Sequence, residues 1–90
     1  MFQQSAAAFQ KIARESITIL EKFTEPEFSQ SLMTAAQAGN QKEVDRLIKS
    51  IGTSTPVEVK YTPTGLLLTI YADAQGTQCC TLSMFLRWGN

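Results

Sequence analysis

The sequence predicts an α+β fold in which three amino-terminal helices precede a three-stranded antiparallel β-meander, with the helices packed on one face of the sheet. Three observations lead to this fold. Apolar residues recur at helical spacing as far as residue 52, they alternate with a period of two from residue 57 onward, and turn-forming residues separate the segments. We expect the 90 residues to form one domain, with a helical part at residues 1–52 and the meander at residues 56–88.

The first helix is predicted over residues 1–23, where apolar side chains form one stripe. The polar sides of the segment balance acidic and basic residues, whereas a helix that lies on a membrane surface usually carries a basic face. We therefore interpret the stripe as packing against the core, and a helical dimer seam is the alternative. The stripe contains Phe2, Ala6, Phe9, Ile12, Ala13, Ile19, Leu20 and Phe23, with Ser16 in phase.

Two further helices follow, joined as a tight hairpin. Thr24 and Glu27 have the spacing of a capping box, in which both side chains bind free amides of the first helical turn. Gly39 can take the left-handed conformation that ends many helices, and Asn40 and Glu43 repeat the capping spacing directly after it. The apolar stripes of the two helices contain Phe28, Leu32, Ala35, Ala36, Val44, Leu47, Ile48 and Ile51.

The helix hairpin carries a local resemblance. The stretch from Ala35 to Asn40, followed by Val44, Leu47 and Ile48, resembles the helix-turn-helix segment of an ankyrin repeat. The resemblance is limited to Ala35–Ile48, because no second copy follows and stacked repeats need about three units, so it implies shared hairpin chemistry only. As a whole, the chain is similar to small uncharacterised proteins of spore-forming Bacillus-type bacteria, which implies no particular site.

The β-meander is predicted from three segments in which side chains alternate, at residues 57–62, 66–73 and 77–88. The second segment is apolar almost throughout, as expected for a central strand with a partner on both edges. Thr62 to Gly65 suits a type I turn completed by a left-handed glycine bulge, and Ala74 to Gly76 supplies the second turn.

The last strand has two unlike faces, and the rest of the chain is organised around it. Its even-numbered residues from Cys80 to Trp88 are all apolar and are predicted to meet the helices, while Cys79 and Phe85 point the other way. A strand with such an apolar face requires a partner strand and a covering layer. The candidate core residues are Phe9, Leu20, Phe28, Leu32, Leu47, Ile48, Leu82, Met84, Leu86 and Trp88.

The opposite face of the sheet is the candidate interface. Leu67, Tyr71 and Phe85 are expected to gather there among small polar residues, with Cys79 toward one end. Several large apolar groups in one area are typical of a contact surface. The alternative is that the first helix wraps around the sheet and covers them, because the register between strands does not follow from the sequence.

The two cysteines, Cys79 and Cys80, are adjacent. Alternation along a strand predicts that one points into the core and the other outward, and a disulfide between them would require a distorted backbone. A metal site needs further ligands, and the sequence has no histidine and no other cysteine. We favour a structural role over redox or metal chemistry, with intermolecular disulfides through Cys79 as the alternative. So few cysteines also favour a reducing compartment.

Composition narrows the classes of function. Eight basic residues balance eight acidic ones, which disfavours nucleic acid and anionic membranes as partners and favours self-association. Without histidine, a glycine-rich phosphate loop or a nucleophile motif, we expect no catalytic residue, no cofactor and no metal. The amino end lacks an export pattern and no apolar run of about 18 residues occurs, so a cytoplasmic location is expected.

Together these patterns favour a small bacterial interaction or assembly protein that is not an enzyme. We expect it to bind itself, as a homo-oligomer, or another protein, through the opposite sheet face or an exposed strand edge. The alternative is a ligand-binding or regulatory domain with a cleft between the helix hairpin and the sheet. A histidine-free enzyme comes third.

Overall fold

The computed structural model describes residues 1–89, and within this range three helices are followed by three strands. The strands form one antiparallel sheet in the order β1-β2-β3, so the predicted α+β fold with a β-meander is confirmed. The elements are α1 (Phe2–Phe23), α2 (Pro26–Gln37), α3 (Gln41–Lys49), β1 (Val57–Tyr61), β2 (Gly65–Ala74) and β3 (Thr77–Arg87).

Helix α1 contacts β2 and β3, while α2 contacts both α1 and α3. Ile12 and Ile19 of α1 are buried, and so is Ser16, the one polar residue of the apolar stripe. The Ser16 hydroxyl donates a hydrogen bond to the carbonyl oxygen of Ala13 at 2.6 Å, so this polar group is satisfied in its buried position. From Phe9 to Phe23 the stripe therefore packs against the core, as its spacing predicts, whereas Phe2 is 85% exposed and Ala6 is also exposed, so the prediction is wrong for the first turns of the helix.

The start of α2 differs from the prediction. Glu25 is the N-cap residue and no side chain caps the helix, so the capping box of Thr24 and Glu27 is wrong. Thr24 still has the backbone conformation of the last turn of α1, and its hydroxyl therefore donates back to the carbonyl oxygen of Glu21 at 2.6 Å. Pro26 occupies the first helical position, where a missing amide removes no intrahelical hydrogen bond.

The turn between α2 and α3 agrees with the prediction. Gly39 has a positive φ of 69°, and the amide of Asn40 donates to the carbonyl oxygen of Ala35 at 2.9 Å, as in a Schellman motif. The side-chain oxygen of Asn40 accepts a hydrogen bond from the amide of Glu43 at 3.2 Å. The second capping interaction predicted from the sequence is therefore present.

The turn between β1 and β2 differs from the prediction at Gly65. This glycine is the first residue of β2 and has no positive φ, so the left-handed glycine bulge is wrong. Thr62 closes the turn instead, because its amide donates to the carbonyl oxygen of Gly65 at 2.9 Å and its hydroxyl accepts from the amides of Thr64 and Gly65. In the second turn Gln75 and Gly76 have φ of 53° and 78°, as a type I′ hairpin requires.

The core lies between the helices and one face of β2. Leu66, Leu68 and Ile70 are at most 1% exposed, and they belong to one continuous cluster with buried residues of all three helices. These three residues of the central strand β2 were not among the candidate core residues predicted from the sequence. Of the candidate core residues, Phe28, Leu32, Leu47 and Ile48 are buried, whereas Phe9, Leu20, Leu82, Met84, Leu86 and Trp88 are half-buried.

Candidate interaction surface

The reverse face is the side of the sheet that points away from the helices. The strand register assigns its members, because residues paired directly across the sheet share a face. They are Glu58 and Lys60 of β1, Leu67, Thr69, Tyr71 and Asp73 of β2, and Thr81, Ser83, Phe85 and Arg87 of β3.

The exposed apolar part of the reverse face is a cross-strand pair. Leu67 lies directly opposite Phe85, and the two side chains are 38% and 50% exposed. Tyr71 lies four positions along β2 from Leu67, on the same face, and is half-buried. The alternative in which α1 covers these residues is wrong, because α1 lies on the other side and leaves both large apolar side chains exposed. The structure thus brings together three of the four candidate interface residues, Leu67, Tyr71 and Phe85.

The ring of Phe85 also covers Gly65. A Cβ atom built on Gly65 would lie 2.8 Å from the Cζ atom of Phe85, so the glycine makes room for the ring against the backbone. Gly65 itself is buried even though it belongs to the reverse face. The position of Phe85 is therefore constrained by the sheet beneath it, and half of its surface remains available for a partner.

Charges on the reverse face are segregated along the strands. Lys60 and Arg87 lie at the end that carries Leu67 and Phe85, next to the β1–β2 turn. Glu58 lies in the middle, where the Tyr71 hydroxyl donates to it at 3.4 Å and Lys60 approaches it at 4.0 Å. Asp73 lies at the opposite end and is exposed. One end of the face is therefore basic and the other end is acidic.

Cys79, the fourth candidate interface residue, does not join the reverse face. The sheet register shifts between Ala72 and Asp73, where Ala72 pairs with Cys80 and Asp73 pairs with Gln78, so Cys79 is the extra residue of a β-bulge. Both cysteines are half-buried and pack against the core cluster. The prediction of one inward and one outward cysteine is therefore wrong, because the bulge interrupts the alternation on which it depends.

Glu15 of α1 binds the connection between α3 and β1, a contact that was not predicted from the sequence. Its carboxylate accepts hydrogen bonds from the hydroxyl and amide of Ser54, at 2.6 and 3.3 Å, and from the hydroxyl of Thr55. Burial raises the pKa of Glu15, but the hydrogen bonds from Ser54 and Thr55 and the charge of Lys11 outweigh it, so the pKa lies below its usual value. Glu15 thereby ties the α3–β1 connection to α1.

Replacing Glu15 by glutamine is expected to lower the free energy of unfolding near neutral pH by about 1 kcal/mol, because charged acceptors form the stronger hydrogen bonds. The folded-state pKa of Glu15 is depressed, so its contribution is present above the unfolded-state pKa and is lost as pH falls through the folded-state value. Urea unfolding at pH 7 and pH 3 measures this, and the difference between wild type and variant should shrink at pH 3. Glu21→Gln, at an exposed position of the same helix, is the control, and an equal loss there would contradict the role of Glu15.

A cleft of about 300 Å³ opens between α1, α2 and one end of the sheet. Its walls are mainly apolar, and the indole N–H of Trp88 turns away from them to donate to the carbonyl oxygen of Thr62 at 2.9 Å. The lining residues include Leu20, Phe23, Leu32, Met33, Leu66, Leu86 and Trp88. A ligand-binding function was predicted to use a cleft between the helix hairpin and the sheet, whereas this cleft is lined by α1 and α2 and by no residue of α3.

Among residues 1–89, the histidine, cysteine, aspartate and glutamate side chains form no group of three or more that could hold a metal ion. Over the same range, none of the helices has the length and apolar character needed to cross a membrane.

Comparison with known proteins gives one match. A family model described as YuzC spore coat inner layer protein matches residues 1–81, which contain five of the six elements in full and the first part of β3. No curated protein and no solved structure matches the chain. The family match agrees with the similarity to small proteins of spore-forming bacteria, whereas the ankyrin-like resemblance of the helix hairpin gains no support.

Proposed function

The chain belongs to the family of YuzC spore coat inner layer proteins, and from this membership we propose that it is a structural protein of the inner spore coat that assembles with a second copy of itself. The proposed location is accordingly the spore coat rather than the general cytoplasm. We propose a non-enzymatic role and a single domain, and the continuous core cluster that joins the helices to the sheet supports the latter.

The observation that carries the proposal is the exposed Leu67–Phe85 pair on the reverse face, toward its basic end. The sheet has helices on one side only, so each copy leaves this pair in water. A second sheet stacked on the first would bury the pair, and the inner faces of two stacked sheets are a common way to form a core. The burial of apolar surface then favours association.

The charges of the reverse face select one orientation for the second copy. If the strands of the two copies ran in the same direction, Lys60 and Arg87 of one copy would lie over the same basic residues of the other. A two-fold axis near the Thr69–Ser83 pair reverses the direction and places the basic end of each copy over the end that carries Asp73. The charges of the two reverse faces are therefore complementary when the strands run in opposite directions and repel each other when the strands run in the same direction.

The size of the face predicts the strength of the contact. Strands of 5, 10 and 11 residues, about 4.8 Å apart and with a rise of about 3.3 Å per residue, give an area of about 410 Å² per copy. A stable dimer usually buries about 800 Å² on each partner. We therefore expect association that depends on concentration in dilute solution and that is favoured by mass action where many copies are held close together, as in a coat layer.

Replacing Phe85 by glutamate is expected to abolish self-association, because it places a charge in the apolar part of the buried face. Sedimentation or light scattering over a concentration series measures the oligomeric state, and circular dichroism checks that the variant keeps its helices. Ile17→Glu is the matched control, because Ile17 is also large, apolar and 56% exposed but lies on α1. A wild-type monomer at high concentration would contradict self-association, and a Phe85→Glu variant that still associates would show that another surface, such as the β3 edge, is used.

The proposed orientation has its own test within the same experiment. Arg87→Glu should weaken association, since it places an acidic group over the acidic end of the partner. Adding Asp73→Arg to this variant should restore association, because the two charges are then exchanged. If the double variant associates no better than Arg87→Glu alone, the antiparallel arrangement is wrong.

A ligand-binding role is the second candidate function, and the apolar cleft beside Trp88 favours it. Trp88 is the single tryptophan of the chain, so its fluorescence reports on occupancy of the cleft. Saturable change of this fluorescence on titration with a small apolar compound would favour the ligand-binding role, particularly if Phe85→Glu leaves the titration unchanged.

A further inference from the structure

We propose that Cys79 and Cys80 form a dithiol site for small-molecule disulfides, in which a mixed disulfide formed at one sulfur is displaced by the other sulfur of the same chain. The product is a reversible Cys79–Cys80 disulfide rather than a link between chains. This site is separate from the reverse face and does not rest on the proposed coat function.

The geometry that carries the proposal is the β-bulge at Cys79. Neighbouring residues of a regular strand point to opposite faces, which keeps their side chains apart. At the bulge, Cys79 has no partner across the ladder, and the two Sγ atoms lie 2.8 Å apart. The Cys79 thiol also contacts the carbonyl oxygen of Ala72 at 3.7 Å, while the Cys80 thiol contacts the carbonyl oxygen of Ser5 at 3.7 Å. These contacts hold both sulfurs on the helix side of the sheet.

The two thiols have different roles in the proposed exchange. The hydrogen bond with Cys79, burial, and the negative charge of Asp73 raise the pKa of Cys80 to about 11, so Cys80 is protonated near neutral pH. The thiolate is the attacking form in disulfide exchange. Because the Cys80 thiol also lies against α1 at the carbonyl oxygen of Ser5, the first attack is assigned to Cys79. The hydrogen bond between the two thiols is lost once Cys79 is modified, which leaves Cys80 adjacent to the new disulfide.

The exchange balances in two steps. The Cys79 thiolate attacks one sulfur of the small disulfide, forms a mixed disulfide and releases one small thiol. Cys80 then loses its proton, attacks the Sγ atom of Cys79 and displaces the second small thiol. The protein is oxidised by two electrons, and the small disulfide is reduced to two thiols.

The product is expected to be easily reduced. Consecutive Cα atoms are about 3.8 Å apart across a trans peptide, whereas the Cα atoms of ordinary disulfides are about 4.4–6.8 Å apart. The ring closed by adjacent cysteines is therefore strained, and strained disulfides are the labile ones. Such a pair suits reversible protection of a thiol and not a permanent bridge. The Cys79–Cys80 disulfide also removes the free Cys79 thiol that an intermolecular disulfide, the alternative allowed by the sequence, would need.

The test treats the folded full chain with oxidised glutathione and measures its intact mass under non-reducing conditions. Wild type should lose two hydrogen atoms, keep no glutathione and release about two thiols per chain. Cys80→Ser should instead keep one glutathione, since the displacing sulfur is missing, and Cys79→Ser should react more slowly. A wild-type chain that keeps glutathione on either cysteine, or that forms covalent dimers as readily as Cys80→Ser, would overturn the proposal.

A second probe does not depend on the variants. Phenylarsine oxide binds pairs of thiols whose sulfur atoms are close together, so one equivalent should block both cysteines of the wild-type chain against alkylation. Blocking of one cysteine only, or no blocking, would show that the two sulfurs do not act as a pair in the folded protein.

Discussion

Leu68→Ala is expected to lower the free energy of unfolding by about 2–5 kcal/mol. Leu68 is fully buried at the centre of the sheet, paired with Val59 on one side and Met84 on the other. Truncation removes buried methyl groups and leaves a cavity that two neighbouring strands and the helices above it can close only in part. Since a domain of this size is stable by about 5–15 kcal/mol, a substantial share of the total would be lost. Urea unfolding followed by circular dichroism measures the change.

Leu67→Ala is the matched control for this experiment. The two leucines are adjacent on β2, have the same chemistry and differ in the face to which they point, since Leu67 is 38% exposed. For the monomer we expect a loss below about 1 kcal/mol, because Leu67 lies on the reverse face, outside the core cluster, and is already partly exposed. The same substitution should weaken self-association. Equal losses of monomer stability at the two positions would contradict the assignment of the core to one face of the sheet.

Gly65→Ala is expected to destabilise the fold by about 3 kcal/mol, a large effect for the addition of one methyl group. A Cβ atom at this position would clash with the carbonyl oxygen of Leu86 and would lie 2.8 Å from the ring of Phe85. The ring can rotate, but the carbonyl group belongs to the paired strand, so β2 and β3 must separate at this end. Removing the ring as well, in a Gly65→Ala/Phe85→Ala variant, should therefore not restore stability.

Gly76→Ala separates this steric effect from the conformational preferences of glycine. Gly76 has a φ of 78°, but no atom lies within 4 Å of a Cβ built on it. We expect a loss of about 1 kcal/mol from the left-handed conformation alone. A comparable or larger loss at Gly76 than at Gly65 in the same urea experiment would contradict the argument from close packing.

Periodicity predicted most of the architecture. The apolar stripe of α1, the two hairpins and the inward direction of Leu82, Met84 and Leu86 all follow from repeating patterns, because each pattern extends over many residues and tolerates single exceptions such as Ser16. The prediction that Leu67, Tyr71 and Phe85 share a face followed from the same alternation. Their mutual arrangement required the register, which depends on long-range pairing.

The features that the sequence did not predict are those decided by single contacts. The spacing of Thr24 and Glu27 fits a capping box, yet the Thr24 hydroxyl binds the end of the preceding helix, because its backbone still belongs to that helix. The bulge at Cys79 breaks an alternation that is otherwise regular. Glu15 finds its partners about 40 residues along the chain, at Ser54 and Thr55, and no local pattern marks such a contact.

The contact between Cys80 and Ser5 joins positions that are 75 residues apart in the chain. Helix α1 also packs against β2, whereas the pairing of α2 with α3 and that of successive strands join chain neighbours, which have little loop-closure entropy to overcome. The helical hairpin and the meander are therefore expected to form early during folding, and the docking of α1 onto β3 is expected to come last. During synthesis, the apolar stripe of α1 therefore stays partly in water until β2 and β3 have both been made.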